Sequence, residues 1–530
     1  MVARYTAVLL SCFLTTAVFA QPPNIRVSNP QAKTPEEITI SINPTNPLNL
    51  AAGANLRFYY YSMDGGLTWT QGLLTSSMNV WGDPSVTFDA DGDLYYAHLS
   101  WPGVVPGDWL DRIVVQKSTD GGMTYDDGVG VGLNPPKDQD KEWITADLTN
   151  SPYRNNLYLA WTEFDNLTSP TLADSTRILF SRSTDHSATW STPVRVSELG
   201  GLCFDDDDTV EGAVPAVGPN GEEYLSWSGH SLIFFDKSLD GGVTWGTDVI
   251  AATQPGGWNF DVPGIFRCNG FPVTMCDVSN SPYRGHVYIL FSDQRNGTDD
   301  TDVFLVKSTD GGVTWTSPPI RVNDDTGAAQ QFFCWGTIDP SNGEIYVVFY
   351  DRRNTTGDAT EVYVARSQDG GATFGNFRVS ETAFTPRSDV FFGDYIGIAA
   401  LDGKVYPIWT RMDSGDLSVW VAPFDVPSGV DVASRPADKG VELQQNYPNP
   451  FNPVTTIEFK LLQRMHVSVA VYTVDGVLVK TIVDQPFDAG PHDVAWDGRN
   501  RLGESVSSGI YFYTLRAGTH SVTKKMTLLK

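Results

Sequence analysis

The chain has 530 residues, a net charge of −27 and 12% aromatic side chains. That aromatic content supplies more apolar surface than a disordered acidic chain carries. The negative balance is offset by no Lys/Arg-rich block. Nucleic acid is therefore disfavoured as a partner, because phosphate binding needs clustered cations.

Residues 1–20 read as a secretory leader. Arg4 supplies the positive start, Ala7 to Leu14 the apolar stretch, and Val18-Phe19-Ala20 the small residues before a cleavage point at Gln21. No later stretch reaches the ~18 apolar residues of a membrane-spanning helix, so no transmembrane span is expected. Four cysteines follow the leader: Cys203, Cys268, Cys276 and Cys334. An even number in an exported chain permits two disulfides, with three possible pairings. Cys268 with Cys276 would form a local bridge, leaving Cys203 for Cys334.

Internal repetition dominates residues 21–425. An octapeptide Ser-x-Asp-x-Gly-x-Thr-Trp recurs six times, as SMDGGLTW, STDGGMTY, STDHSATW, SLDGGVTW, STDGGVTW and SQDGGATF. Its aspartates are Asp64, Asp120, Asp185, Asp240, Asp310 and Asp369, spaced 56, 65, 55, 70 and 59 residues apart. Asp and Ser can accept backbone N–H groups, and Gly tolerates a positive φ, so each octapeptide is a tight turn. The aromatic residue then opens the next strand and buries its ring. Alternating segments such as RIVVQKS, RILFSRS and DVFLVKS precede the boxes and read as strands. A second hairpin pattern lies upstream, for instance DLTNSPYRNNLYLAWTEFDN (Asp147 to Asn166) and DVSNSPYRGHVYILFSDQRN (Asp277 to Asn296). Each unit thus has four strands, as a propeller blade does.

Seven units can be counted, from Ile38–Thr75 to Gly393–Asp425. A Val-Arg-Val-Ser form marks the last strand of several units: VRVSE (Val194 to Glu198), IRVND (Ile320 to Asp324) and FRVSE (Phe377 to Glu381). IRVSN (Ile25 to Asn29) stands before the first unit, and the seventh lacks such a strand. Ile25–Ser28 is therefore expected to complete the last unit and close the ring. Six blades is the alternative count, if the first or last unit packs irregularly. Residues 426–441 are rich in Pro, Gly, Ser and Asp and read as a linker. Residues 442–530 alternate again and suit a small Ig-like β-sandwich.

The six octapeptides resemble the Asp-box (BNR) repeats of the sialidase-like propeller superfamily. This resemblance implies an all-β chain whose first domain is a seven-bladed sialidase-like β-propeller. It also implies that the boxes are peripheral and structural. The tail is similar to the C-terminal sorting domain of type IX secretion cargo, through NYPNPFNPVTTIEF (Asn446 to Phe459), GPHDVAWDGRNRLGESVSSGIYFYTL (Gly490 to Leu515) and KKMTLLK (Lys524 to Lys530). That similarity implies delivery to the outside of the cell, as a secreted or surface protein, with the secretion machinery as partner of residues 442–530.

Propellers bind ligands mostly where inner strands begin, a fold-level analogy. The inner-strand starts carry Glu37, Asp83, Glu142, Glu211, Arg267, Gln331, Asp394 and Tyr395. The second-strand ends carry Trp101, Glu163, Asp293, Arg295, Tyr350, Asp351, Arg352, Arg353 and Arg411. Sialidase chemistry needs three arginines on a carboxylate, a Tyr–Glu nucleophile pair and an acid. Residue type and register fill these roles with Arg267, Arg352 and Arg411, with Tyr395 beside Glu211, and with Asp394 as the acid. The family's Arg-Ile-Pro motif is absent, the corresponding region reading EEITISINPTNP (Glu36 to Pro47). Two functions follow: a non-catalytic module that binds an extracellular glycan or surface protein, or an exo-glycosidase. No cofactor motif is found. The run Asp205-Asp206-Asp207-Asp208 offers oxygen atoms for Ca²⁺ or is a solvated loop. His98, His186, His230 and His286 are scattered and suggest no zinc site.

Overall fold

Alternating apolar segments separated by Asp/Gly turns can bury their side chains only by stacking sheet on sheet. The computed structural model describes residues 21–101, 103, 110–426, 441–461, 464–473, 478–517 and 520–529. Among these residues there is no helix, and the structure is built of antiparallel sheets. Two units separate, Met1–Pro427 and Ser428–Lys530.

The larger unit contains seven sheets with four consecutive ladder positions each. The first is Thr39–Ile42, Leu50–Ala54, Phe58–Ser62 and Thr70–Leu73. The next five begin with Gly82–Phe88, Asp138–Ala146, Glu211–Val217, Val273–Cys276 and Gln331–Ile338. The seventh runs Gly397–Leu401, Lys404–Asp413 and Asp416–Val421, and Ile25–Arg26 supplies its outer strand. Ile25 pairs with Val421 and Arg26 with Trp420. Each first strand touches the first strand of the next sheet, and Gly397–Leu401 returns to Thr39–Ile42. These seven strands line one channel of about 440 Å³.

Burial follows position in the sheet. Second strands such as Leu94–Ser100, Val287–Asp293 and Ile345–Asp351 are buried at every residue, because neighbouring sheets cover both faces. This is why they read as almost unbroken apolar runs. Outer strands such as Val194–Arg195 and Ile320–Arg321 are partly exposed. Their Val-Arg-Val-Ser form has a local cause. Ser197 Oγ accepts the Ile178 amide at 3.0 Å, Ser380 Oγ the Val362 amide at 2.9 Å, and Ser28 Oγ the Val419 amide at 3.0 Å. The hydroxyl continues a ladder that the short strand cannot.

The octapeptides form one repeated turn. In Ser62–Trp69, Asp64 Oδ1 accepts the Thr68 amide at 2.9 Å and Oδ2 the Thr68 hydroxyl at 2.6 Å. Ser62 Oγ accepts the Gly66 amide at 2.9 Å, and Gly66 has φ +82°. The 2.6 Å Thr–Asp bond recurs in all six boxes. These aspartates therefore cap turns. Hydrogen bonding from Thr68 holds the Asp64 carboxyl below its ordinary range.

The expected disulfides do not form. Cys203, Cys268, Cys276 and Cys334 are all free and buried. Cys268 belongs to the Asn259–Phe260/Cys268–Asn269 hairpin and Cys276 to the inner strand of the fifth sheet, so the local bridge fails despite the short spacing. Cys334 instead lies 3.4 Å from the Ser292 hydroxyl.

In the smaller unit, a three-stranded sheet (Val441–Leu443, Thr455–Leu461, Gly490–Trp496) and a four-stranded sheet (Leu478–Phe487, Met465–Thr473, Gly509–Ala517, His520–Leu528) share one core. Ile457, Phe459, Val469, Trp496, Tyr513 and Met526 lie in it. The Asn446-Tyr447-Pro448 segment is pinned to this core: the Asn446 amide donates to Tyr513 Oη at 2.8 Å and its side chain to Thr455 Oγ1 at 2.9 Å. The leader and residues 427–440 of the expected linker lie outside the described residues.

Candidate functional site

The inner strands begin irregularly, and this irregularity builds the site. Register shifts interrupt the ladders between Gly82 and Ser85, Asp140 and Trp143, Glu211 and Val214, and Phe332 and Trp335. Each shift contains a residue with positive φ: Asp83 (50°), Lys141 (52°), Gly212 (76°) and Phe333 (48°). Glu37 at 54° takes the equivalent place before the first sheet. A β-bulge re-aims side chains, and non-glycine residues in this conformation are strained. Such positions concentrate where a protein trades stability for chemistry.

The re-aimed side chains meet at one end of the channel. Lys141 Nζ lies 2.7 Å from Asp394 Oδ2, 3.1 Å from Asp83 Oδ2 and 3.8 Å from Glu37 Oε1. Arg267 pairs with Asp394 through two guanidinium nitrogens, Nε at 3.0 Å from Oδ1, and approaches Asp205 at 3.5 Å. Asn269 Nδ2 donates to the Asp394 carbonyl at 3.0 Å. Asn55 binds the Glu37 carboxyl and accepts the Asp83 amide at 2.7 Å.

Below this cluster lies an aromatic layer. The Trp143 and Trp335 rings are 4.2 Å apart, and Tyr395 meets Trp143 edge-on at 5.4 Å. Both tryptophans border the long channel and also a cavity of about 40 Å³. Asp83, Lys141, Glu142, Phe333, Asp394 and Tyr395 are among the residues lining that cavity. All three aromatic residues are half-buried, so ring surface remains available to a ligand.

Environment splits the carboxyls into two kinds. Burial alone would raise Asp394, but Lys141 and Arg267 overcome it and hold the group well below the usual carboxylate range. Burial pushes Glu142 and Glu211 well above that range. Glu36 is likewise raised by burial, to about 8. All four oxygens of Glu142 and Glu211 are buried and take no hydrogen bond from any other described residue.

Among the inner-strand starts, Glu37, Asp83, Glu142, Glu211, Arg267, Asp394 and Tyr395 lie together at this end, whereas Gln331 accepts from Asn323 and donates to Asp351. Arg267 and Asp394 are bonded to each other, Glu211 feels Lys141 and Arg267, and Tyr395 lines the same cavity. The proposed roles do not follow. The Tyr395 hydroxyl donates to the Pro84 carbonyl at 3.1 Å, not to Glu211. Asp394 is an ion-pair partner, not a protonated acid. The three arginines share no partner: Arg352 donates to Thr360 at 3.1 Å and covers Phe332, while Arg411 pairs with Asp413 at 2.9 Å and reaches Thr382. The second-strand ends form separate local pairs, such as Arg353 with Asp351 at 2.7 Å and Arg177 with Glu163 at 2.6 Å.

Lys141, Asn269, Trp143 and Trp335 were not among the expected site residues. Asp140-Lys141-Glu142-Trp143 stands in register with Glu211-Gly212-Ala213-Val214. A lysine at the position that glycine takes in the neighbouring unit is the signal that could have exposed it.

The Asp205–Asp208 run is committed to protein contacts. Asp205 faces Arg267, Asp206 accepts the Asp208 amide at 3.2 Å, Asp207 accepts the Asn259 amide at 2.8 Å, and Asp208 faces His230 at 3.4 Å. Asp89, Asp93 and His186 lie close enough to share a metal ion. However, Asp93 is paired with Lys117 at 2.7 Å, and Asp89 accepts the Tyr95 hydroxyl at 2.9 Å.

Residues 452–521 match the FlgD Ig-like domain family. No curated protein matches the chain. Solved structures of similar shape include a protein of unknown function from Dyadobacter fermentans (12% identity, TM-score 0.42, covering 76% of this chain and 98% of that one). An α-L-arabinanase from Penicillium chrysogenum complexed with arabinobiose has 16% identity and a TM-score of 0.40, over 64% and 92% of the two chains. A polysaccharide lyase, ulvan lyase, has 11% identity and a TM-score of 0.44, over 73% and 94%.

Proposed function

We propose that this chain is an exported seven-bladed β-propeller that binds a glycan, or the sugar-bearing surface of another protein, at the acid-rich mouth of its channel. The observation that carries this reading is the meeting of the Trp143, Trp335 and Tyr395 rings with buried carboxyls that lack partners. Aromatic faces stack on the apolar faces of sugar rings, while carboxyl oxygens take hydroxyl hydrogen bonds in a water-poor cleft. Anionic sugars suit the mouth poorly, because Lys141 and Arg267 are already engaged by acids. Residues 442–530 act in this reading as a secretion tail, supported by the Asn446–Phe459 and Gly490–Leu515 motifs.

Isothermal titration against a panel of neutral, basic and acidic oligosaccharides tests the reading. Binding that disappears in Trp143→Ala supports it, and a panel without any binder overturns it. Hydrolysis is the second reading, favoured by the split between anionic Asp394 and the raised Glu142 and Glu211. Such a split is how one site holds both a base and an acid. Turnover of fluorogenic glycosides that is lost in Glu142→Gln would establish it.

A further inference from the structure

We infer that the mouth selects a sugar carrying a protonated amine, a specificity that rests on the glycan reading above. Eight carboxyls interact electrostatically there: Glu36, Glu37, Asp83, Asp140, Glu142, Asp205, Glu211 and Asp394. The cations that face them are Lys141 and Arg267. Both cations are spent: Lys141 on Asp394, Asp83 and Glu37, and Arg267 on Asp394 and Asp205. Among the described residues the mouth therefore presents no free positive group to an anion, and it disfavours carboxylate sugars.

One carboxyl is placed to take a cation. Glu142 lines the cavity, is 2% exposed, and neither of its oxygens has a partner on another described residue. A buried acceptor without a partner is costly unless a ligand completes it. Burial holds a proton on Glu142 before a ligand arrives; an ammonium, a compact donor of three hydrogen bonds, pairs with the ionised carboxylate while that proton leaves to solvent. The adjacent Trp143 and Trp335 rings add a cation–π face on the same cavity. A hydroxyl could serve Glu142 as donor, but it would bring no charge to favour the ionised carboxylate. An amine answers both conditions.

The probes are the β-1,4 trimer of glucosamine and its N-acetylated counterpart. They share ring shape and linkage and differ in charge. Titrations run at pH 6.5 and 0.15 M salt, where long-range attraction to the acidic surface is screened. The expected result is that the amine trimer binds about tenfold tighter than the acetylated one. Glu142→Gln should cut amine-trimer affinity by about the same factor, with its fold verified by circular dichroism. Trp143→Ala should weaken both trimers. Equal affinity for the two trimers, or an unchanged preference in Glu142→Gln, overturns the amine specificity and leaves the glycan reading intact. Amine-trimer binding that ignores both substitutions is surface attraction and overturns it too. If neither trimer binds while a neutral oligosaccharide does, the specificity fails alone. If no sugar binds at all, the glycan reading fails with it.

Discussion

Replacing Lys141 by Met tests whether the mouth is held together by charge. The ammonium sits between Asp394, Asp83 and Glu37 at 2.7, 3.1 and 3.8 Å, with its side chain only 12% exposed. Removing one partner from a buried set of charges costs about 3–5 kcal/mol, because the others are left uncompensated. A unit of roughly 400 residues has an unfolding entropy near 0.8 kcal/mol/K, so this cost lowers Tm by about 4–6 °C. The sign of its pH dependence is fixed. Asp394 is held low in the folded state, so its contribution exists above its unfolded value of about 4 and is lost as pH falls through the folded one. Lys141 is held above its ordinary value, so its contribution is complete below about pH 10 and is lost only at higher pH. The difference between wild type and Lys141→Met should therefore be full from about pH 5 to 9 and should shrink below pH 4. Thermal unfolding followed by tryptophan fluorescence at pH 7 and pH 3.5 measures it. A Tm within 1 °C of wild type at pH 7, or an equal loss at both pH values, refutes the ion-pair account. The double variant Lys141→Met/Asp83→Asn should recover part of the loss, because Asp83 is paired with Lys141 while Asp394 keeps Arg267.

Three further outcomes are expected. Val27 is 3% exposed in the segment that follows the closing strand, and its amide donates to the Val419 carbonyl at 2.8 Å. Val27→Asp should therefore cost about 3 kcal/mol or more, read as a lower Tm and as faster proteolysis near residue 28. At Asp240, burial would raise the carboxyl, yet the Thr244 hydroxyl and amide hold it at about 2. Its contribution is present above about pH 4 and lost as pH falls through about 2, so the Tm gap to Asp240→Asn should close by pH 2. The thiols should be unreactive toward Ellman's reagent in the folded protein and all react after denaturation, and reductant should leave Tm unchanged, because Cys203, Cys268, Cys276 and Cys334 are free and buried.

Much of the architecture was legible in the sequence, since a turn that needs Asp, Gly and Thr at fixed offsets repeats its letters wherever it repeats. The octapeptides located the hairpins, and the Ser of Ile25–Ser28 betrayed an outer strand before any sheet could receive it. The site was legible only in part. Glu37, Asp83, Glu142, Glu211 and Asp394 could be named from the sequence because they begin inner strands, and that position depends on strand register alone. Lys141 was missed because bulges upset the two-residue alternation there, so a side chain assigned to one face points to another. The arginine set failed for a different reason. Charge at a strand end says nothing about which neighbour neutralises it, and Arg352 and Arg411 find partners in their own surroundings. The thiol pairing failed because closeness in sequence does not place two cysteines on facing strands.

The seventh sheet joins a segment near the start of the chain to one almost four hundred residues later. During synthesis, Ile25 and Arg26 emerge early but have nothing to dock on until Val421 has left the ribosome. Six sheets can accumulate side by side while the flank of the first stays bare, and assembly ends with a zip across that gap. A nascent chain halted before Val421 therefore carries an unpaired flank, a natural handle for a chaperone and a natural target for a quality-control protease.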